Sequence, residues 1–544
     1  MAGLDYRTAT SEPAATGGSF PGDLRRPTPV RQNTTTLRYP GRDPRRSHRG
    51  VGGAMASLPP EQKAELGKDL QSFIRFLEKY YPNEILRVKQ EIDPVFEATA
   101  TLWRLENDRR YPLVIFANIR GAELPAVTNL HASFPRLAMA IGLPIDATPR
   151  DFILEYMRRE DNPIEPVTVD ESQAPCKEVI YTGDEVDIWK MPMLKYHELD
   201  GGQMDPGFEE QRGRYITLGY EIMKDPDTGI RNAGIYRLQA KSKSKFGIQI
   251  SETAHGHYIM QKNLKHGRPT EMAVAIGLHP AVELGFLSFT SIDVDEFAMA
   301  GAMLGEPLEM VKCETIDVEV PARAEIVLEC EIHPTEREPE APFGEYPGTY
   351  GPERNNPVVH VKAITMRKNA HYHSSFVGHW DNLLLSGVTR NSMIYKACRL
   401  ASGGVRAVYV PPSGRCRYIC YVQMEKLIEG DPKNAAMAAF AADPFLKYVV
   451  VVDEDVDITN DSQVWHAIAQ RVRFHEDAFV VTHARGSPLD PASYDPAGGS
   501  HLVTKVGIDA TRKADFPLEI TTPGVEDVDL DALFGDAWKQ VRQD

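Results

Sequence analysis

The sequence predicts a multi-domain α/β protein whose strand-rich middle is flanked by two regions that mix helices and strands. Between about 186 and 365, short segments alternate apolar and polar residues, as half-buried strands do. On both sides, apolar residues recur every three or four positions beside short apolar runs. A length of 544 residues is enough for two or three domains. We therefore expect an N-terminal α/β domain, a central antiparallel barrel and a C-terminal α/β domain.

Charge and composition exclude several classes of partner. The formal net charge is −16, which argues against non-specific nucleic-acid binding or attachment to an anionic membrane surface. No apolar run approaches the roughly 18 residues of a membrane span. The six cysteines are sparse and form no C-x-x-C pair, so we expect a reduced cytoplasmic protein with Cys416 and Cys420 as core thiols.

The first 54 residues differ in composition from the rest. They are rich in Arg, Pro, Gly, Ser and Thr and lack Lys, which is typical of a disordered basic tail. A transit peptide is the alternative, but no amphipathic helix is evident. We expect translation to start at Met55, just before the first helical pattern.

Residues 55–185 read as the N-terminal α/β domain followed by a connector. Leu66, Leu70, Phe73 and Leu77 recur at helical spacing, and Pro82 closes that segment. A buried strand is expected at 113–116 and a helix at 137–141. The proline-containing segment 151–185 is expected to be the connector.

The central region, 186–365, contains a hairpin signature. An alternating strand at 215–222 and a strand at 232–239 flank a turn at 226–229. Further strands are expected at 246–251, 273–276, 316–320 and 325–332.

The C-terminal region alternates strands and helices, and we expect an α/β oligomerisation domain at 366–525 and a helix at 526–544. Strands are predicted at 406–410, 417–422 and 447–452, and helices near 390–402, 433–441 and 464–471. The acidic run 453–457 is interpreted as a strand end, because Ile458 and Val464 stand where a calcium-binding loop needs Gly and Glu. The absence of a Walker motif and of a strand-linked G-x-G-x-x-G argues against ATP and classical dinucleotide binding.

Two carboxylates in the stretch 337–348 are the first candidates for chemistry. Glu340 and Glu345 lie five positions apart across Pro342-Phe343-Gly344, which excludes a continuous helix. Acids held close together in a partly apolar site raise the pKa of one of them, as a general acid near neutral pH requires. The alternative is a solvated surface loop.

A second stretch, 231–239, favours a chemical role for the two carboxylates over a solvated surface loop. Together the two stretches resemble the UbiD family of prenylated-FMN-dependent decarboxylases. The family's N-x-[GS]-x-x-R segment matches Asn232 and Arg237, and its E-x-P-F-G-E segment matches Glu340 and Glu345. A His is expected 18 residues after the Arg, at His255. The order and spacing hold over roughly 230–350, with weaker similarity from about 60 to 525.

The resemblance also implies a metal site and a cofactor site. A metal-ligand Glu is expected before a G-A-x-L-G-E segment, and Glu296 stands five residues before Gly301. The implied metal ligands are Asn232, His255 and Glu296, with His257 a nearby spare. The implied cofactor contacts are Asn232, Gly234, Ile235, Tyr236, Arg237, Ala254, His255, Glu296 and Lys505.

The implied fold and activity follow the family. The central domain is expected to be a split β-barrel like that of flavin reductases. The expected reaction is non-oxidative, reversible decarboxylation of an aromatic, heteroaromatic or α,β-unsaturated acid, with Arg237, Glu340 and Glu345 catalytic. The expected cofactors are prenylated FMN, Mn²⁺ or Mg²⁺, and K⁺. The expected partners are a flavin prenyltransferase as cofactor supplier and further copies of the chain, as a homodimer or homohexamer.

Physical chemistry supports the expected cofactor and metal, but strand geometry alone does not place Asn232 and Arg237 in one pocket. Loss of CO₂ from an sp² carbon leaves a carbanion that nothing delocalises, so an electron sink is required. Imidazole, amide and carboxylate ligands suit Mn²⁺ or Mg²⁺. However, a separation of five puts Asn232 and Arg237 on opposite faces of an ideal strand, unless a bulge or turn near Gly234 intervenes.

Two other function classes remain open at this point. One is a metal-dependent hydrolase that uses Glu340 or Glu345 as base beside the Asn/His/Glu set. The other is a flavin-binding or assembly protein without catalysis. Departures from the family's cinnamate-decarboxylating members around 383–385 and 286–292 leave the substrate open.

Overall fold

The computed structural model describes residues 57–494, 501–515 and 530–535. Its first part is a small α/β arrangement. The elements in chain order are α1 (Pro60–Glu65), α2 (Leu70–Tyr80), β1 (Ile85–Ile92), α3 (Glu97–Asn107), β2 (Leu113–Ile119), β3 (Ala126–Thr128), α4 (Phe134–Ala140) and α5 (Pro149–Glu160).

Local signals in the sequence explain where these helices begin. Asp69 caps α2 by accepting the Ser72 backbone N–H, so the predicted single helix from Leu66 onward is two helices broken near Gly67, whose φ is +70°. The prediction of a connector over 151–185 is wrong at its start. Thr148 and Asp151 form a capping box there, and α5 continues to Glu160.

The central part is dominated by strands. Its elements are β4 (Val167–Thr168), β5 (Val179–Thr182), β6 (Tyr215–Ile216), β7 (Tyr220–Lys224), β8 (Arg231–Gly234), β9 (Arg237–Ser242), β10 (Lys245–Gln249), α6 (His255–Lys265), β11 (Thr270–Ile276), α7 (Pro280–Phe286), α8 (Glu296–Leu304), β12 (Glu309–Lys312), β13 (Glu319–Pro321), β14 (Ile326–Glu340), β15 (Phe343–Gly344), β16 (Tyr350–Gly351) and β17 (Arg354–Met366).

Nine of these strands form one antiparallel sheet in the order β6-β9-β10-β17-β14-β11-β7-β8, with β5 pairing along β17. The predicted hairpin around the turn at 226–229 is confirmed as β7–β8, because Lys224 pairs with Arg231. The predicted continuous strand at 215–222 is wrong, since it is divided into β6 and β7, which lie near opposite ends of the sheet. The predicted continuous strand over 232–239 is wrong. The chain leaves β8 at Gly234 and enters β9 at Arg237, near the other end of the sheet.

This two-residue crossing requires the sheet to curl. Strands that lie near opposite ends of a flat nine-stranded sheet would be tens of ångströms apart at about 4.8 Å per strand. Only Ile235 and Tyr236 join β8 to β9, so the two ends of the sheet must approach each other. The result is the curled, open half-barrel that the sequence predicted as a split β-barrel. We call the Ile235–Tyr236 crossing the seam.

Both faces of the curled sheet are buried, which fits a barrel covered by helices. Along β11, Met272, Val274 and Ile276 pack into one apolar cluster, whereas Ala273 and Ala275 pack into another. Alternate side chains point to opposite faces, so each face has its own core.

The last part adds one strand to the sheet of β1, β2 and β3 and forms a five-stranded sheet of its own. Its elements are β18 (Tyr372–His373), α9 (Trp380–Ala401), β19 (Val405–Tyr409), β20 (Ile419–Met424), α10 (Asp431–Ala442), β21 (Tyr448–Asp453), α11 (Asp461–Arg471), α12 (Phe474–Asp477), β22 (Ala478–Arg485), β23 (Leu502–Asp509) and α13 (Leu530–Phe534). The N-terminal sheet has the order β1-β2-β3-β18, and the five-stranded sheet has the order β19-β20-β21-β23-β22.

The structure bears on several further predictions from the sequence. Strand β21 ends at Asp453, as the acidic run predicted. The six cysteines are all buried and unpaired. The predicted helix at 526–544 is described only at α13, and the predicted tail at 1–54 lies outside the described residues. Within the described ranges, no helix is long and apolar enough to cross a membrane.

Candidate active site

Arg237 lies between two carboxylates near the seam. Its Nε and Nη2 donate to the two oxygens of Glu340 at 2.9 and 2.8 Å, and its Nη1 donates to Oε1 of Glu345. The Glu340 side chain is fully buried, and those of Arg237 and Glu345 are 9% and 12% exposed. The structure thus brings the three predicted catalytic side chains into one hydrogen-bonded group.

Long-range strand pairing fixes Arg237 and Glu340. Arg237 is the first residue of β9 and pairs with Gln249 of β10. Glu340 is the last residue of β14, beside β17. The Asn356 side chain of β17 donates to both Gln249 Oε1, at 2.7 Å, and Glu340 Oε2, at 2.8 Å. Four strands of the barrel therefore set one ion pair.

A small hairpin positions Glu345. Phe343–Gly344 pairs with Tyr350–Gly351, so the predicted loop is a two-stranded hairpin, and Glu345 opens its turn by donating its N–H to Thr349 O. Asp200 Oδ1 accepts the Gly344 N–H at 2.8 Å, which ties the hairpin to the segment before β6. Backbone bonds therefore aim the Glu345 side chain.

Burial and neighbouring charges shape the electrostatics of this group. Burial raises the pKa of the Glu345 carboxyl; the charge and hydrogen bond of Arg237 oppose this, while Glu340 and Asp200 add to it. Burial opposes the charge on Arg237, but Glu340 and Glu345 raise the pKa of its guanidinium. Arg237 therefore stays cationic while Glu345 is poised to hold a proton.

Aromatic rings form one wall of the site. The Arg237 guanidinium lies 5.1 Å from the centroid of the Phe343 ring, which contacts Tyr215 at 4.4 Å. His197 packs against Phe343, and Phe376 stacks on His379 at 3.6 Å. The apolar wall explains why the carboxyl group of Glu345 is desolvated.

The predicted metal ligands also converge. Asn232 Nδ2 donates to Glu296 Oε1 at 2.9 Å, and His255 Nδ1 lies 3.7 Å from the same oxygen. Asn232 Oδ1 and Glu296 Oε2 are buried without a hydrogen-bond partner. Such orphaned oxygen acceptors are costly unless a cation or donor satisfies them. The donor set therefore fits a hard divalent cation.

An ion pair beside these ligands holds their elements together. Arg231 donates through Nε and Nη2 to Asp295 Oδ2 at 3.0 and 2.8 Å. Asp295 Oδ1 also accepts the Phe297 N–H and so caps α8. Each partner directly precedes a predicted ligand, Asn232 in β8 and Glu296 in α8. The pair therefore fixes the spacing between the two.

The seam explains how Asn232 and Arg237 avoid facing opposite sides of one strand, as their separation of five would require. Because β8 ends at Gly234 and β9 begins at Arg237, the two residues do not share a strand. Glu221 Oε2 accepts the Tyr236 N–H at 2.8 Å, and this bond ties the seam to β7. A Cβ at Gly234 would lie 2.7 Å from the Tyr236 hydroxyl oxygen, so the close turn requires glycine.

The other predicted cofactor residues divide into two groups. Ile235 and Tyr236 form the seam, and Ala254 is the N-cap of α6, which begins at His255 and has no side-chain cap. Lys505 is separate: its Nζ donates to Pro444 O and Leu446 O at 2.8 and 2.9 Å. No contact within the described ranges links Lys505 to Asn232, His255 or Glu296.

Two residues that support the predicted catalytic group were not predicted from the sequence: Asn356 donates to Glu340, and Asp200 accepts the Gly344 N–H next to Glu345. Neither residue lies in a motif. The fold, and not a short spacing in the sequence, brings each of them to the site. Asn356 had one weak signal, since it belongs to a polar interruption, Arg354-Asn355-Asn356, before the apolar run of β17.

Family comparisons match most of the chain. The N-terminal domain of 3-octaprenyl-4-hydroxybenzoate carboxy-lyase, UbiD, matches residues 77–155, its Rift-related domain 167–380 and its C-terminal domain 383–510. This chain belongs to the UbiD family of carboxy-lyases.

Individual UbiD relatives extend this result. Anhydromevalonate phosphate decarboxylase of Methanothermobacter thermautotrophicus is 35% identical over 80% of this chain and 96% of its own. The UbiD-class enzyme HmfF of Pelotomaculum thermopropionicum, solved with FMN, is 37% identical with a TM-score of 0.77 over 85% of this chain and 99% of its own. An evolved dimeric form of HmfF, solved with prenylated FMN, is 35% identical with a TM-score of 0.76, over 86% of this chain and 100% of its own.

We expect the hairpin that carries Glu345 to tolerate no side chain at Gly344. A Cβ there would lie 2.2–2.5 Å from the His197 ring, so Gly344→Ala should lower the free energy of unfolding by about 1–3 kcal/mol. Gly403→Ala is the matched control, because a Cβ at Gly403 meets nothing within 4 Å. Melting temperatures of the two variants check this. Equal melting temperatures would contradict the close packing of His197 on Gly344.

Proposed function

We propose that this carboxy-lyase decarboxylates an aromatic, heteroaromatic or α,β-unsaturated carboxylic acid, reversibly and without oxidation, with prenylated FMN as cofactor. The observation that carries the proposal is the Arg237 group: one buried cation between two carboxylates, one of which has a raised pKa. A buried cation binds a substrate carboxylate, and a carboxyl with a raised pKa returns a proton.

Arg237 has donors left for a substrate. A guanidinium carries five N–H groups. Glu340 uses one on Nε and one on Nη2, and Glu345 uses one on Nη1. One N–H on each terminal nitrogen remains, so the guanidinium can still donate to a substrate carboxylate. Glu340, held by Asn356, fixes the plane of the guanidinium while it does so.

Glu345 is our candidate for proton delivery. Burial raises its pKa, which favours the protonated form relative to an ordinary glutamate. Prenylated FMN, when bound, supplies the electron sink that takes the pair released as CO₂ leaves. Transfer of the proton from Glu345 Oε to the carbon that carried the carboxylate would then complete the replacement of CO₂ by hydrogen, and the burial of Glu345, 12% exposed, limits competition from bulk water.

The cofactor fits the residues around the seam. The unpartnered oxygens of Asn232 and Glu296, with His255, are suited to Mn²⁺ or Mg²⁺, which would bridge to a phosphate. The N-terminus of α6 carries the positive end of the helix dipole, which would favour the same phosphate. Gly234, Ile235 and Tyr236 would help to hold the flavin. The roles of K⁺, Lys505, the flavin prenyltransferase and the homodimer or homohexamer rest on the family resemblance.

The substrate stays at the level of a class. The relatives' names include an anhydromevalonate phosphate decarboxylase and 3,4-dihydroxybenzoic acid decarboxylases. These names describe different acids, so they do not select one. Neither the hydrolase nor the non-catalytic reading has an observation in its favour, since the chain is a carboxy-lyase by family.

The proton-delivery role predicts the behaviour of Glu345→Gln. The amide keeps the shape but cannot deliver the proton, so turnover should fall by about 10²-fold or more. Substrate should still bind, because Arg237 is unchanged. The measurement is exchange of the product's vinylic or ring proton with D₂O, which requires protonation but no loss of CO₂. Glu340→Gln should also lower turnover, through the orientation of Arg237. Exchange at the wild-type rate in Glu345→Gln would assign proton delivery elsewhere.

The cofactor proposal predicts the loss of two ligands from one substitution. His255→Ala should lose Mn²⁺ and flavin together, because the metal would join the protein to the cofactor phosphate. His257→Ala, two positions along α6, is the control and should keep both. Metal analysis and the flavin absorbance of protein co-expressed with a flavin prenyltransferase check this. Full occupancy of both in His255→Ala would exclude His255 as a ligand.

The raised pKa of Glu345 predicts a pH dependence. Its protonated form is the active one, so the rate should be high below the folded-state pKa and fall as pH rises through it. Asp200→Asn removes a neighbouring negative charge but keeps an oxygen for the Gly344 N–H. This change should lower the pKa of Glu345 and move the alkaline limb of kcat to lower pH. Asp317→Asn, on an exposed side chain, should leave the limb in place. An unmoved limb in Asp200→Asn would show that another group titrates.

A further inference from the structure

Four ionisable side chains meet in the interior, apart from the active site. His131, Glu283 and His373 have no exposed surface, and Asp381 is 1% exposed. They come from four places in the chain: the loop after β3, helix α7, strand β18 and the first turn of α9. None belongs to the motifs that define the carboxy-lyase site.

The two imidazole rings converge on one carboxylate. Glu283 Oε2 lies 2.5 Å from His131 Nε2, and Oε1 lies 3.1 Å from His373 Nδ1. One ligand atom from each of the three side chains lies within 4.8 Å of the others. A metal ion placed among them would therefore need only small rotamer adjustments to reach ligand distances near 2.0–2.2 Å.

Asp381 orients one of these rings. Its Oδ1 accepts the His131 backbone N–H at 2.7 Å and lies 3.5 Å from His131 Nδ1. This contact directs the Nδ1 side of the ring to Asp381 and leaves Nε2 facing Glu283. A carboxylate behind a histidine is the usual support of a metal-binding imidazole.

The cluster has buried polar atoms without partners, and imidazoles pair with its carboxylates. His131 Nδ1, His373 Nε2, Asp381 Oδ2 and the Tyr220 hydroxyl are buried without hydrogen-bond partners. In the described ranges, no Lys or Arg forms an ion pair with Glu283 or Asp381. Without a metal the two imidazoles must supply the positive charge, whereas two neutral imidazoles, two carboxylates and one divalent ion also sum to zero.

We propose that His131, Glu283 and His373 bind one divalent transition-metal ion, with Zn²⁺ the best match, at a structural site separate from the cofactor site. Two imidazoles and a carboxylate are ligands that Zn²⁺ accepts readily, and a fully enclosed site suits a structural ion. The Tyr220 hydroxyl is buried without a hydrogen-bond partner and interacts electrostatically with Glu283 and Asp381, so it would be a candidate for the fourth position. The ion would join α7 of the barrel region to β18 and to the loop after β3.

Metal analysis of the full chain tests the proposal. Protein grown with zinc and without a flavin prenyltransferase, then dialysed against EDTA, should retain about one zinc per chain, because an enclosed ion exchanges slowly. Glu283→Gln should lose it. Glu329→Gln is the matched control, since Glu329 is equally buried but lies outside the cluster. His255→Ala should also keep the zinc, which separates this site from the proposed cofactor metal.

A spectroscopic measurement covers the case in which Glu283→Gln fails to fold. Wild-type protein produced with Co²⁺ in place of zinc should show the visible d–d absorption of a four-coordinate ion, and His255→Ala should show it unchanged. Wild-type chain without zinc and without this absorption would overturn the proposal and leave a metal-free His–Glu–His ion-pair network. Zinc retained in a folded Glu283→Gln variant would also overturn it.

Discussion

The pairing of Arg237 with Glu340 is the interaction on which the rest of the site depends. Both side chains are buried, so each charge would be costly without the other. The bidentate geometry also fixes which strands can be neighbours, since Arg237 begins β9 and Glu340 ends β14, with β10 and β17 between them. A shift of register by one residue in any of these strands would separate the pair. The ion pair is therefore a constraint on the barrel as well as a chemical group.

The seam connects this constraint to the proposed metal site. Asn232 lies on the last strand of the sheet and Arg237 near the first, yet only the seam and two flanking residues separate them in sequence. A curled sheet is the arrangement that satisfies both pairings at once. Cofactor and substrate groups can then be held from two edges of one sheet, which gives a rigid frame to a site assembled from distant strands.

The sequence was most informative where the candidate residues are concentrated in short segments. Asn232 and Arg237 share one segment, and Glu340 and Glu345 share another, so the resemblance to the family's motifs was enough to propose them. The alternation of side chains along a strand also showed that Asn232 and Arg237 could face one pocket only if the strand broke near Gly234. It could not tell whether a bulge or a crossing made that break. Asp200 and Asn356 could not be found, because strand pairing over long separations brings them in and no local pattern encodes that pairing.

The same distinction applies to the fold. Strand β14 continues past its predicted end at 332, through Pro334 and Pro339. The register shift between Ile332 and Arg337 accommodates Pro334, whereas Pro339 pairs with Asn355 of β17. Helix α5 was missed although Thr148, Pro149 and Asp151 form a complete start signal. The His131–Glu283–His373 group had no local signal at all, since its members lie far apart in the chain.

The burial of all six cysteines has a practical consequence. Burial raises the pKa of each thiol, for instance to about 12 in Cys176, Cys398 and Cys416, so almost none is present as reactive thiolate at neutral pH. The natural chain should therefore be silent toward thiol-directed labels. A single cysteine introduced on the exposed side of the hairpin at Tyr350 would carry a fluorophore or spin label without competing background. Movement beside Glu345 could then be followed during turnover in an otherwise native protein.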